Sequence, residues 1–183
     1  MTRLHLGCGE NYLKGYVNID FPPTKHTVQQ KVVVDKYADL KTLKYPAKSV
    51  NEIRLHHTFE HFIRSEAIAL LASWHSWLKP GGTIHIEVPD FDATARVVLG
   101  FRTKDHDRKV ALRHIFGSNE ADWAVHYEGW SAKRLSEVYE IFGFEVIKLQ
   151  KSAYLATRNI TAIGKKILPV LNEEELISRA NNY

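Results

Sequence analysis

Cysteine is nearly missing from this chain: Cys8 is the single one. No internal disulfide can form, and a reducing, cytoplasmic setting fits best. Long apolar runs are missing too. No stretch approaches the length of a membrane span, and Met1 to Gly7 pass straight into a strand-like pattern without the apolar core of a signal peptide. Nor is there a marked excess of either charge. The formal balance is +4, and the Lys and Arg residues are spread along the chain. A scattered basic excess of that size reads as a solvated surface and makes a nucleic-acid partner unexpected. Internal repeats, low-complexity tracts and linkers are also lacking.

What is present is an ordinary globular composition, 44% hydrophobic and 25% charged, over 183 residues. That suits one domain, residues 1–183, with a real core. Strands and helices alternate along it. Leu4 to Cys8, Tyr16 to Asp20, Lys31 to Asp35 and Val50 to Leu55 read as four strands. A helix with Ser65 as N-cap follows, its apolar residues Ala67, Leu70, Leu71, Trp74 and Leu78 at helical spacing, and Pro80-Gly81-Gly82 stops it. Thr83 to Val88 is the clearest strand. Helical stretches at Ala93 to Leu99 and Lys109 to Phe116 come next, then a helix from Ser131 to Phe142. Glu145 to Leu149 and Asn159 to Ile163 read as strands, and Asn172 with three Glu residues opens a C-terminal helix. The alternation predicts an α/β, Rossmann-like, doubly wound and mostly parallel sheet. Ligands of such sheets bind at the carboxyl ends of the strands, near the switch in strand order.

Most informative residues fall at those ends. Gly7-Cys8-Gly9 lets the backbone turn sharply and approach a ligand, or simply leaves a strand by a tight turn. The dinucleotide fingerprint fails because Tyr stands at position 12, which argues against a nicotinamide enzyme. Asp20 is placed to accept the ribose hydroxyls of an adenosine, or opens the turn before Phe21-Pro22-Pro23. Asp39-Leu40 offers an acceptor and an apolar surface to adenine; alone, it reads as a turn or cap. His56-His57-Thr58-Phe59-Glu60-His61 contains zinc-type ligands, but the order is not His-Glu-x-x-His and no cysteine helps, so no metal is expected.

Taken in order, these features resemble the class I S-adenosylmethionine (SAM)-dependent methyltransferases, in particular the short "type 11" branch. Leu4 to Gly9 resembles the glycine motif, and Asp20 the acidic residue after the second strand. Asp39-Leu40 matches the adenine-side motif, and His57 to His61 the run after the fourth strand. Leu78-Lys79-Pro80-Gly81-Gly82 matches the turn before the fifth strand, and Gly143-Phe144 also recurs in the family. The resemblance implies that SAM is the cofactor and that Gly7, Cys8, Gly9, Asp20, Asp39, Leu40 and His57 bind it. Only Glu10 to Gly15 separate the glycine loop from the next strand, so the first helix is shortened or absent. Together with Gly15-Tyr16-Val17-Asn18-Ile19-Asp20, this resembles predicted methyltransferases of polysaccharide biosynthesis.

That likeness implies a small-molecule or glycan acceptor, methylated on a sugar hydroxyl. A hydroxyl nucleophile needs a base. Asp90 and His126 are the candidates, each equally readable as an ordinary hydrogen-bonded loop residue, and His126 has the better unperturbed pKa. Residues 91–130 sit where such enzymes carry an acceptor-side insertion, and Trp123, Tyr127 and Trp130 read either as a sugar-stacking wall or as core. Two other functions compete. A non-catalytic SAM-fold binding or regulatory protein would bind SAM without turnover. A nucleic-acid methyltransferase would carry its Asp-Pro-Pro-aromatic motif after the fourth strand, whereas Asp20-Phe21-Pro22-Pro23 follows the second.

Overall fold

A computed structural model describes residues 1–22, 33–167, 174, 175, 178 and 179. Its elements are β1 (Arg3–Leu6), β2 (Val17–Asp20), β3 (Lys36–Tyr37), β4 (Val50–His56), α1 (Arg64–Trp77), β5 (Leu78–Pro89), α2 (Phe91–Leu99), α3 (Asp105–Phe116), α4 (Ala132–Ile141), β6 (Phe144–Tyr154) and β7 (Thr157–Lys166). The strands form one seven-stranded sheet in the order β3-β2-β1-β4-β5-β7-β6. β1 to β5 are parallel, and β7 runs antiparallel between β5 and β6. This is the Rossmann-like, mostly parallel α/β architecture. Strand order reverses at β1, between β2 and β4, which makes that sheet end the ligand crevice.

Alternation along the strands gives the sheet an apolar and a polar face. Ile53 and Leu55 of β4 lie beside Ile84 and Ile86 of β5, all fully buried. On the other face Glu52, Arg54 and His56 lie beside Thr83, His85 and Glu87. Helices α1 and α4 close the apolar face. The Tyr139 hydroxyl donates to the Ala162 carbonyl at 3.2 Å, and its ring packs on Phe144, which also carries His75 of α1. Burial of this one contiguous cluster drives the fold.

Between β1 and β2 the chain makes turns and no helix. Polar bonds from β2 hold that loop instead. Asn18, fully buried, accepts the Leu13 N–H at 2.9 Å and donates to the Leu13 and Tyr16 carbonyls at 3.0 and 3.2 Å. His5 of β1 joins the Asn18 oxygen at 3.1 Å. A loop too short for an amphipathic helix thus explains why this face is polar: its covering needs hydrogen-bond partners and not an apolar stripe.

Several local expectations shift. The third strand pairs at Lys36–Tyr37 and not along Lys31 to Asp35; Lys31 and Val32 lie outside the described residues. Asp35 is instead a tie to β2, accepting the Asn18 backbone N–H at 2.7 Å. Helix α1 starts at Arg64 with Ile63 at the cap position, so Ser65 lies inside the first turn and caps nothing. β1 ends at Leu6, and α3 starts at Asp105 rather than Lys109. Ser131 caps α4 as expected, accepting the Arg134 N–H at 3.4 Å. Of the expected C-terminal helix, Asn172 and Glu173 lie outside the described residues. No helix among the described residues is long and apolar enough to cross a membrane.

Candidate functional site

The site begins where β1 ends. Gly7 and Gly9 both take positive φ, +67° and +52°. At Gly7 a Cβ would stand 2.3 Å from Thr58 Oγ1 and 2.4 Å from its Cγ2, so the loop after β4 itself demands glycine here. The Gly7 and Cys8 N–H groups reach the Ile19 carbonyl at 2.9 and 3.2 Å. Gly9 N–H is taken by the Asp20 carboxylate, whose other oxygen accepts Phe21 N–H at 2.7 Å. Asp20 therefore both shapes the glycine loop and faces the cavity. Burial, with the Asp20 and Asp35 carboxylates nearby, pushes the Cys8 thiol up to about 12.

A cleft of about 1090 Å³ opens at this sheet end. Gly7, Cys8, Gly9 and Asp20 line one part of it, with Leu40 and Ala38 as an apolar flank. His57, His61 and Glu87 line the next part, and Asp122, Trp123 and Tyr127 complete the far wall. The cavity is continuous. Its size reaches the upper range for a small-ligand pocket, enough for a nucleoside cofactor beside a second molecule.

Between these parts lies a cluster of ionisable groups. His57 adopts φ +51°, an uncommon conformation for a residue with a Cβ, fixed by its N–H bond to the Glu87 carbonyl at 2.9 Å. Its ring sits between two carboxylates, Nδ1 3.4 Å from Glu60 and Nε2 3.5 Å from Glu87. Burial alone would lower the His57 pKa, but the Glu60 and Glu87 contacts outweigh it and raise it to about 10. The contact with His57 is the chief reason that Glu87 falls to about 2. Glu60 is 1% exposed. Full burial works against its ionisation, yet the surrounding histidines hold its carboxyl below the usual range.

Two further histidines complete the cluster. The His61 ring is 4.8 Å from that of His126, and its Nδ1 lies 3.0 Å from the Val125 carbonyl. His126 Nδ1 lies 3.1 Å from the His114 carbonyl, and its Nε2 is 3.9 Å from Glu60 Oε1. Burial keeps His126 below the ordinary imidazole range, so it is neutral at pH 7.

The residues singled out from sequence divide accordingly. Gly7, Cys8, Gly9, Asp20, Leu40 and His57 come together on the cleft. Asp39 does not: its carboxylate accepts the Lys41 N–H at 2.9 Å within a turn, which leaves Leu40 to face inward. Asp90 is 3% exposed and caps α2 by accepting the Ala93 N–H at 3.2 Å. It is not among the cleft-lining residues. His126 is also set back, behind His61. Of the three aromatics, Trp123 and Tyr127 line the cleft, whereas Trp130 is core, stacked on Phe59 at 4.7 Å. Glu87 went unnoticed in the sequence. Its position at the carboxyl end of the most regular strand was the available signal.

No family model and no curated protein matches the sequence. Solved structures do match. A SAM-dependent methyltransferase of Methanosarcina mazei is 15% identical, with 92% of this chain and 93% of that chain covered and a TM-score of 0.61. One from Mesorhizobium loti is 12% identical, with 90% of each chain covered and a TM-score of 0.61. The Burkholderia thailandensis 1,6-didemethyltoxoflavin-N1-methyltransferase, solved with 1,6-didemethyltoxoflavin and S-adenosylhomocysteine bound, is 13% identical, with 91% of this chain and 71% of that chain covered and a TM-score of 0.59. At such identities the likeness is one of fold.

Proposed function

We propose that this protein is a SAM-dependent methyltransferase acting on a hydroxyl of a small-molecule or glycan acceptor. One observation carries the reading: a single cleft joins the glycine loop and Asp20 to a far wall of Trp123, Tyr127 and histidines. The methyltransferase fold of the similar structures supports it.

The residues fit the cofactor. The Asp20 carboxylate lines the cleft at the end of β2, where ribose hydroxyls can donate to it. Leu40 and Ala38 give an apolar surface for a base ring. The glycine loop brings backbone close without a Cβ in the way. SAM supplies an electrophilic methyl on a sulfonium; orientation, water exclusion and proton handling fall to this chain. His57, protonated at neutral pH, is a fixed cation between two carboxylates and not a base. The proton-accepting end of the cleft is the His61–His126 pair, with His61 at the wall. Trp123 and Tyr127 offer flat faces on which a sugar can stack.

The test is direct. Calorimetry with SAM and S-adenosylhomocysteine, followed by mass spectrometry for S-adenosylhomocysteine after incubation with sugars and nucleotide sugars, should show binding and acceptor-dependent turnover. Folded protein that binds neither ligand at millimolar concentration overturns the reading. Binding with no turnover on any acceptor would favour a non-catalytic role.

A further inference from the structure

We infer that Glu60, His61 and His126 form a binding site for one divalent first-row transition-metal ion, set at the acceptor end of the cleft. The sequence offered no metal motif, because His126 lies far from the His57 to His61 run in the chain. The fold brings it there: one ligand atom from each of the three residues lies within 4.8 Å of the others. Two atoms each about 2.1 Å from one ion stand at most about 4.2 Å apart. For three ligands around one ion the separations fall to about 3.0–3.6 Å, so side-chain adjustments of about 1–2 Å close the set.

Independent features point to a cation. Glu60 is 1% exposed, yet neither carboxylate oxygen has a hydrogen-bond partner among the described residues. Its contact with the His57 cation falls on Oε1, and neutral His126 stands 3.9 Å from the same oxygen. The His57 cation stands 3.4 Å from Oε1, but the buried Oε2 has no hydrogen-bond donor among the described residues, and that is disfavoured unless something positive meets it.

The histidines are also prepared as ligands. His61 and His126 each turn Nδ1 to a backbone carbonyl, at 3.0 and 3.1 Å. A carbonyl only accepts, so Nδ1 is the donor in each ring, and in the neutral form Nε2 carries the lone pair. This is the outer-shell arrangement that orients metal-binding imidazoles. At His126 that lone pair then faces the Glu60 carboxylate at 3.9 Å, acceptor against acceptor, with nothing shared between them. An ion there resolves the conflict.

Two imidazoles and one carboxylate suit zinc, cobalt or manganese, and leave coordination positions open. His61 lines the cleft, so an open position can take an acceptor oxygen. A hydroxyl held there is acidified and releases its proton to water, so that with the ion bound the metal replaces the imidazole pair in activating the acceptor. Its oxygen then forms the bond to the methyl carbon as the carbon–sulfur bond breaks, with that electron pair staying on sulfur. This catalytic role rests on the methyltransferase reading; binding of the metal does not.

The experiment uses the full chain, stripped with chelator and titrated by calorimetry with ZnCl₂, MnCl₂ or CoCl₂ alone, with cobalt binding also followed by visible absorption. One equivalent should bind. His126→Ala and His61→Ala should each weaken it at least tenfold, and Glu60→Gln likewise, with circular dichroism reporting the fold. His106→Ala, at an exposed position on α3, should leave it unchanged. If Glu60→Gln fails to fold, the two histidine variants decide. Absence of binding by all three metals, or binding that neither histidine variant weakens, overturns the site. SAM titrated into the same samples separates the two claims, since metal binding without SAM binding would sink only the proposed function.

Discussion

The Asp20 carboxylate bridges two backbone donors, Gly9 N–H on the glycine loop and Phe21 N–H on the chain leaving β2. It is 7% exposed and lines the cleft, so one side chain both builds the loop and faces the cavity. Asp20→Ala should weaken SAM binding by about 1.5–3 kcal/mol, the range for hydrogen bonds to a charged group. With Gly9 N–H left unpaired, the variant should also lose about 1–2 kcal/mol of stability. Calorimetry and urea denaturation measure the two effects; an unchanged dissociation constant would remove Asp20 from the cofactor site.

Gly7 and Thr58 should be energetically coupled. Gly7→Ala places a methyl 2.3 Å from Thr58 Oγ1 at φ +67° and should destabilise by about 2–4 kcal/mol. Thr58→Ala removes both the Oγ1 and Cγ2 atoms that clash. In the Gly7→Ala background it should recover part of the loss, whereas alone it should be mildly destabilising. A double-mutant cycle giving strict additivity would contradict the packing described.

Cys8 should be a poor nucleophile despite lining the cleft. With its thiol pushed up to about 12, the thiolate fraction near pH 8 falls roughly a thousandfold below that of a free cysteine. Labelling by a thiolate-dependent disulfide reagent should therefore be slow in native protein and fast in denaturant. Rapid native labelling would show that burial and the neighbouring carboxylates do not keep the thiol protonated.

His126 and Asp90 should behave differently. His126→Ala should lower turnover by roughly 10²–10⁴-fold with SAM affinity retained, as for loss of the group that activates the acceptor. Asp90→Ala removes a helix cap, so it should take about 1 kcal/mol from stability with little effect on turnover in the folded protein. The reverse pattern would return the base to Asp90.

Acid should act on Asp35. Backbone and side-chain hydrogen bonds from Asn18 hold its carboxyl below the ordinary value of 3.8. A carboxyl depressed in the folded state contributes stability that is complete above its unfolded pKa and is lost as pH falls through its folded one. Asp35→Asn should flatten the part of the stability–pH curve below about pH 4. An identical acid limb in the variant would exclude that linkage.

What the sequence determined by itself was local. Strand alternation in Val50 to Leu55 and Thr83 to Val88, the glycine turn after β1 and the Ser131 cap all depend on neighbours within a few residues. The order of motifs therefore gave the fold class, and the six residues between the glycine loop and Tyr16 already ruled out a full first helix. Tertiary structure decided the rest. Whether Asp39 or Leu40 turns inward depends on a turn bond to Lys41, a one-residue choice that no periodicity encodes. The ladder partner of β2 was set by pairing with Ile19 and Asp20 rather than by the valine run before it. Glu60, His61 and His126 converge across a chain separation that includes α1, β5, α2 and α3. Their chemistry depends on burial, on carbonyls contributed by Val125 and His114, and on what each ring leaves exposed. Those are properties of packing, and they exist only once the distant segments have met.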